Sequence, residues 1–532
     1  MLEQLSLSKF LSSSNRVYLL MALATILRFA LTPFSQTVDA DAVSRVFMSW
    51  VWMEDMEFIA QGVWLPFHQY LLGIGFALFP DMVITPKLIN TLLFVLAVWP
   101  FYKFCASVFH EDKAWLPTLL LIISPAILRN GLMAMAGVPY ISFVIWAVYF
   151  AQKTVETSRL KHAVLAGLFI TIAAGFRYEA WVISGLLFWM MALQGQRKTL
   201  ISYTIIAASY PAVWMLGNYL IQGDAMHGLS GAYDWNVVRA GVNEHMSMTE
   251  HLRRVLFFPI SLGLNMGYFL GLLTAIVLIS RAFQRKLTKA QWLWLIPFFF
   301  ILVTYIVKGN DGTLLLKHRF TITLLVFFIP YSALLVTANA KLKNGVLLLL
   351  TILILPFTGF MVKANIHYLF FAPPALREAV YQVRDIGLTT AQPIPRLIGK
   401  RAQNVLGAVE ENMKPNDGLI LDFFGWDDTY YVALHATHHA GAVFLQNGAI
   451  NDEPAWDRIS VFLNELLPTN REGVLILNPK SNFGKTLRNE RITLPNEEGF
   501  LALNKIAETD GLTIYRYKFG KQQLSAFLQN EF

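Results

Sequence analysis

Apolar runs alternate with short polar stretches through the first two-thirds of the chain, at roughly 17–34, 87–106, 115–128, 132–151, 162–176, 180–193, 200–221, 256–280, 291–307, 320–337 and 345–364. A helix needs ~20 apolar residues to cross the hydrocarbon, so these runs predict about eleven membrane-spanning helices. Several runs are short, which local bilayer thinning or burial against neighbours would accommodate. The stretch Phe67–Phe79 is apolar but too short to cross at a rise of 1.5 Å per residue, so it is read as re-entrant or interfacial. Beyond Lys363 the pattern changes, with Pro373 and Pro374 at the boundary. There the spacing predicts helices at Ala402–Met413, Asp427–Ala436 and Trp456–Leu467. Strands are expected at Leu419–Phe424, Ala442–Leu445 and Val474–Leu477, with a turn at Lys414–Gly418. Strands alternating with helices indicate a small α/β domain. The expected architecture is therefore a multi-pass α-helical membrane protein with a C-terminal soluble α/β domain. Residues 1–365 form the membrane domain, with an outer loop at 35–86, and residues 375–532 form the second domain.

Composition agrees with the membrane reading. Apolar residues make up 55% of the 532 and charged residues only 15%, against about 25% charged in soluble proteins; mean hydropathy is +0.48. A net charge of +8 raises the question of nucleic acid, but no arginine-rich tract supports it. The excess sits instead in the loops that the positive-inside rule places in the cytoplasm. With the N-terminus inside, the inside segments carry Lys153, Arg159, Lys161, Arg197, Lys198, Arg281, Arg285, Lys286, Lys289, Lys341 and Lys343. The first outer loop holds Asp39, Asp41, Glu54, Asp55, Glu57 and Asp81 against Arg45 alone. The expected location is the cytoplasmic membrane, with the C-terminal domain extracytoplasmic. The single cysteine, Cys105, excludes an internal disulfide.

Candidate chemistry gathers in the outer segments. Asp39 and Asp41 follow the first helix directly, and carboxylates at a membrane rim are costly unless solvated or used. Asp39 also reads as the N-cap of a helix lying in the interface, with Val43, Phe47, Trp50 and Phe58 on one face. The turn after the fifth helix, Arg177-Tyr178-Glu179, reads either as a buried ion pair between helix ends or as a phosphate-binding arginine held by Glu179. Lys308, Lys317, His318 and Arg319 place cations where the charge bias expects few. They suit an anionic head group, or simple snorkelling at helix ends. The loop 222–255 mixes aromatic and acidic residues, a composition that suits carbohydrate binding or a solvated loop, the latter being favoured. His68 reads as an interfacial histidine, and His435, His438 and His439 as a solvent-facing cluster without metal-ligand spacing. No Walker loop, dinucleotide glycine fingerprint, nucleophile elbow or zinc motif occurs, so nucleotide-dependent chemistry is not implied.

Taken in order along residues 15–365, Asp39 and Asp41, Trp64-Leu65-Pro66-Phe67, Ser124-Pro125, Arg177-Tyr178-Glu179 and His318-Arg319-Phe320 resemble the GT-C superfamily of integral-membrane glycosyltransferases. Within it they look like the bacterial branch akin to protein O-mannosyltransferases and the lipid A aminoarabinose transferase. The resemblance implies a polyprenyl-phosphate sugar donor, an acceptor of unknown kind and an inverting transfer on the outer face. Carried over by position, Asp39 is the general base, with Asp41 as its rival or neighbour. Arg177, Lys317, His318 and Arg319 bind the donor phosphate, Tyr178 and Glu179 orient them, and Trp64 and His68 belong to the substrate loop. No cofactor is required by this reading, and a divalent metal is left open. Such proteins often carry an acidic residue early in the fourth helix. Met135-Ala136-Gly137-Val138-Pro139 has none, a departure that counts against a second carboxylate or a metal. The competing reading is a transporter or flippase of a lipid-linked saccharide, which calls for broken helices and paired halves.

Overall fold

The computed structural model describes residues 13–32, 40–133, 135–193, 197–240, 246–337, 341–354, 400–414, 417–437, 442–444, 472–481, 491–493 and 499–521. The boundary prolines, Asp39, Glu244, His245, His438, His439 and the expected helix Trp456–Leu467 lie outside the described residues.

The membrane domain is a helical bundle. Its helices are α1 Ser13–Leu31, α2 Ala40–Glu54, α3 Phe67–Leu78, α4 Ile84–Phe109, α5 Trp115–Ile123, α6 Pro125–Leu132, α7 Gly137–Thr157 and α8 Leu160–Ala174. They continue as α9 Glu179–Ala192, α10 Arg197–Gln222, α11 His227–Ala240, α12 Met248–Asn265, α13 Tyr268–Phe283, α14 Lys289–Asn310, α15 Thr321–Phe328 and α16 Lys341–Ile352. Tight 3₁₀ turns at His318–Phe320 and Ile329–Leu335 extend α15 at both ends.

Among the described residues, four helical segments are long and apolar enough to cross a membrane: Ile84–Phe109, Arg197–Gln222, Lys289–Asn310 and His318–Leu335. Two bent pairs raise that number to six. The expected single helices at 115–128 and 256–280 are these bent pairs. The first bends by 50° between α5 and α6 and the second by 108° between α12 and α13. The first break has a local cause, because proline at the start of α6 drives Ser124 out of helical geometry (ψ 124°). The two breaks meet: the side-chain carbonyl of Asn265, the last residue of α12, accepts from the Ala126 backbone N–H at 2.8 Å.

Hydrogen bonds sort the loops into two ends. At one end Arg16 faces Asp112 at 3.5 Å. Gln152 donates to Ser107 at 3.1 Å and accepts from Trp294 at 2.7 Å, and Gln291 donates to the Val108 carbonyl at 3.3 Å. At the other end Gly62 donates to Asn218 at 3.2 Å, Phe67 to the Gly175 carbonyl at 3.1 Å, and His251 meets Asn310 at 3.0 Å. The grouping is the one that the charge pattern makes between alternate loops. Helix α3, roughly 18 Å long, begins at the Gly175 end. The start of α4 is tied to that same end through Asn90, which donates to the Met133 carbonyl at 2.7 Å.

The second domain carries α17 Lys400–Asn412, α18 Trp426–Thr437 and six strands: β1 Gly418–Leu421, β2 Ala442–Phe444, β3 Glu472–Leu477, β4 Arg491–Thr493, β5 Gly499–Thr509 and β6 Leu512–Lys521. The sheet order is β2-β1-β3-β6-β5-β4. β1 pairs in parallel with β2 and β3, while β3, β6, β5 and β4 run antiparallel. The alternating α/β half is as expected, and the antiparallel half was not anticipated. Its hairpin turns at Asp510-Gly511, both with positive φ (49° and 73°), the two-residue turn that matches strand twist.

The two domains share one apolar cluster. Ala42, Val43, Val46 and Trp50 of α2 belong to it together with Val432 and Leu434 of α18 and Val405 and Val409 of α17. The expected interfacial face of α2 is thus covered by protein. Phe58 is not part of that face, since α2 ends at Glu54 and Phe58 is exposed.

Candidate functional site

Asp41 sits in the first turn of α2, directed at the 3₁₀ turn that opens α15. There its carboxylate accepts from the Arg319 guanidinium, forming an ion pair. Burial works to raise the Asp41 carboxyl, but the charges of Arg319, Lys317 and Arg45 outweigh it and hold the group below its ordinary value. Arg45, one helical turn after Asp41, lies 4.4 Å from the Trp64 ring centre. Trp64 therefore joins the site through a cation–π contact with Arg45.

A second ion pair stands beside the first. The Arg177 Nε donates to both carboxylate oxygens of Glu179, at 3.2 and 3.1 Å, and Tyr305 adds a longer bond at 3.5 Å. The ring of Phe320 lies 5.1 Å from Arg177 and 5.6 Å from Arg319. One aromatic ring thus contacts both guanidinium groups that the sequence offered for phosphate binding. In this state each is paired with a carboxylate.

The remaining candidates divide. Lys317 precedes the 3₁₀ turn and adds positive charge at Asp41. His318 is turned into the bundle, its Nδ1 2.7 Å from Ser261 Oγ, which lies 2.6 Å from Thr321 Oγ1. Tyr178 donates to the Val63 carbonyl at 3.2 Å and accepts from the Trp214 indole at 3.2 Å. It fastens the α8–α9 turn to the segment before Trp64 and does not orient Arg177. His68 is fully buried in α3, and among the described residues neither ring nitrogen has a hydrogen-bond partner, so it does not lie in a substrate loop. Among the described residues no three His, Cys, Asp or Glu side chains gather as a metal site. Asp41 is surrounded by cations, a setting unsuited to a divalent ion.

Sequence reasoning missed Phe320 as a shared contact and Arg28 as a buried charge. Arg28 had a legible signal, because it is an ionisable residue near the end of an apolar helix, where charge is expensive.

No family model and no curated protein matches the chain. Solved structures do. ArnT from Cupriavidus metallidurans, crystallised with undecaprenyl phosphate, matches with a TM-score of 0.61 at 12% identity over 95% of this chain and 98% of that one. Its apo form gives 0.59 at 13%. An Archaeoglobus fulgidus oligosaccharyltransferase tethered to an acceptor peptide gives 0.51 at 14%, over 97% of this chain and 75% of that one. The chain shares the fold of these structures. The match with ArnT covers 95% of this chain, so the likeness of fold extends past the 15–365 region that carries the sequence motifs. A membrane location follows for a multi-pass fold of this kind with these apolar helices.

Proposed function

We propose that this protein transfers a sugar from a polyprenyl-phosphate donor to an acceptor hydroxyl at the outer face of the cytoplasmic membrane, with inversion. The observation that carries the reading is the meeting of Asp41 with Arg319 in a GT-C fold, with Arg177 and Lys317 at hand. A leaving lipid phosphate gains charge as the glycosidic bond breaks, and guanidinium and ammonium groups stabilise it. Arg319 and Lys317 are the groups assigned to that phosphate, and Arg177, paired with Glu179 and sharing the Phe320 ring with Arg319, adds positive charge beside them. Inversion requires a base opposite the leaving group to take the acceptor proton. Asp41 is paired with Arg319 and held below its ordinary value, which makes it a weaker base than a free carboxylate. Asp39, two residues earlier, is therefore assigned the base role, and Asp41 the role of positioning Arg319. The C-terminal domain, 375–532, is assigned to the acceptor side.

The test uses purified protein in bilayer nanodiscs, a labelled polyprenyl-phosphate sugar and candidate acceptors, read by mass analysis of the product and its anomeric configuration. Transfer that Asp39→Asn abolishes is the expected result. Unaltered transfer in that variant overturns the assignment of the base.

A second reading keeps one observation in its favour. Two spans are broken and their breaks are bonded to each other through Asn265, as in transporters that bind substrate at discontinuous helices. A flippase of a lipid-linked saccharide would return its substrate chemically unchanged, and the same mass analysis separates the two.

A further inference from the structure

Arg28 lies one turn before the end of α1 and is fully buried. Its guanidinium stacks 3.9 Å from the centre of the Phe94 ring, and Nη2 reaches the Ile127 carbonyl only at 3.5 Å. Nε and Nη1 have no hydrogen-bond partner, and no ion pair involves Arg28 among the described residues. A buried guanidinium without an anion is a costly arrangement, since interior charges are ordinarily paired. The surroundings are built around it. Gly131, one residue before the end of α6, leaves the room: a β-carbon there would stand 1.9 Å from Arg28 Nη1. Asn90 and Asn130 add buried amides on the α4 and α6 sides.

The place of this charge in the fold says which anion suits it. Two residues past Gly131, Met133 joins the apolar cluster that includes Ala42 and Val43, the neighbours of Asp41. Helix α6 also packs against the His318–Phe320 turn that carries Arg319. Arg28 is thus a cation with open donors, one layer inside the rim where the Asp41–Arg319 pair sits. At the rim Arg319 and Arg177 are already matched by Asp41 and Glu179, whereas Arg28 has no carboxylate partner among the described residues.

We propose that Arg28, whose guanidinium fills the space left at Gly131, is a further donor-binding residue, and that its Nε and Nη1 donate to the phosphate oxygens of the polyprenyl-phosphate carrier when that carrier is bound. The inference rests on the function proposed above and adds a residue from the first helix to the phosphate site. It makes a distinctive demand on the ligand-free protein, because a charge that waits for its anion burdens the empty state. Replacing Arg28 therefore acts in opposite directions on the empty and the loaded protein.

The experiment compares wild type, Arg28→Met and Arg28→Gln in nanodiscs. The probes are a polyprenyl phosphate, the uncharged polyprenol of the same length, and inorganic phosphate. The expected result is an equal or higher melting temperature without ligand and roughly tenfold or greater weakening of polyprenyl-phosphate binding, the size of a lost charge-assisted hydrogen bond. Polyprenol binding is unchanged. A parallel loss of inorganic-phosphate binding identifies the phosphate group itself as the ligand; loss confined to the lipid form identifies the carrier's head group, and both support the proposal. Gly131→Ala, which pushes the guanidinium aside while keeping its charge, is expected to weaken binding in the same way. Unchanged polyprenyl-phosphate affinity in both Arg28 variants overturns the inference, as does a fall in ligand-free melting temperature with affinity retained. Wild type that binds no polyprenyl phosphate at all overturns the proposed function as well, so the two failures are told apart.

Discussion

Asp41 and Arg319 stand 278 residues apart in the chain and meet as an ion pair at one end of the helical bundle. The pair joins the short helix after the first span to the turn that opens a late span, so it closes the bundle as well as furnishing charge. Arg319 is almost wholly enclosed, while about a third of the Asp41 side chain is open to solvent (10% and 32% exposed). Asp41→Asn leaves the arginine without its counter-charge. The expected cost is roughly 1–3 kcal/mol, less than the 3–5 of a fully buried pair because solvent reaches the aspartate. The measurement is the ligand-free melting temperature. Arg319→Ala is expected to weaken donor binding by roughly tenfold or more through loss of a charge-assisted contact, and an unchanged donor affinity would remove Arg319 from the site.

The same pair sets a pH dependence. The folded-state carboxyl of Asp41 lies below its ordinary value of 3.8, so the folded state favours the ionised form. Its contribution to stability is complete above the unfolded value and is lost as pH falls through the folded value. Between pH 5 and pH 3 the wild type is therefore expected to lose more stability than Asp41→Asn. Parallel acid-unfolding curves for the two proteins would show that Asp41 is not held by Arg319.

Phe320 touches Arg177 and Arg319 from a single ring. Phe320→Leu keeps an apolar residue there but removes the ring quadrupole from both guanidinium groups. At ~0.5–2 kcal/mol per partly desolvated cation–π contact, donor binding is expected to weaken by roughly three- to thirtyfold with little change in maximal turnover. Titration of polyprenyl phosphate alongside steady-state kinetics separates the two effects. A fall in turnover with affinity intact would assign Phe320 to the chemistry.

Much of this could be read from the chain because one physical rule dominates a membrane protein. Apolar runs long enough to cross stand out against polar loops, and the alternation of cationic loops sorts the two ends. The breaks were not legible in hydropathy. Ser124-Pro125 and Met266-Gly267 interrupt helical geometry without interrupting apolar character, so each bent pair reads as one helix. The Arg177–Glu179 pair was legible because its members are two residues apart. The Asp41–Arg319 pair was visible only as two charges at the same end, since its partners are brought together by the fold. In the C-terminal domain the Asp510-Gly511 hairpin carried a plain signal between Thr509 and Leu512 that the alternating pattern upstream overshadowed. His68 shows the opposite error: it reads as an interfacial histidine of a substrate loop, yet Phe67 docking on Gly175 starts a helix there whose inner face buries it.

Tyr178 offers a control within the same turn. Its hydroxyl ties the Val63 carbonyl to the Trp214 indole, away from the guanidinium groups. Tyr178→Phe is expected to cost about 1 kcal/mol of stability, the net worth of such bonds, and to leave donor affinity unaltered. A large loss of affinity with stability intact would place the hydroxyl at the donor after all.

The cluster shared between α2 and α18 makes the C-terminal domain part of the site's support. Val46 is fully buried, one turn and a residue beyond Asp41 on α2, in the cluster that also holds Val432 and Leu434. An aspartate at that position would bury a charge against apolar side chains, an arrangement proteins avoid by moving the segment apart. Val46→Asp is therefore expected to release the C-terminal domain from α2 and to loosen the helix that presents Asp41. Two measurements follow the two consequences: limited proteolysis should cut between the domains faster than in wild type, and transfer should fall while Arg319→Ala in the same background costs less than it does alone. Such coupling is expected only if both changes act on one element, since distant, independent substitutions add. Full additivity with unchanged proteolysis would mean that α2 holds its place through α3 and Arg319 alone, with the second domain resting on it as a passenger.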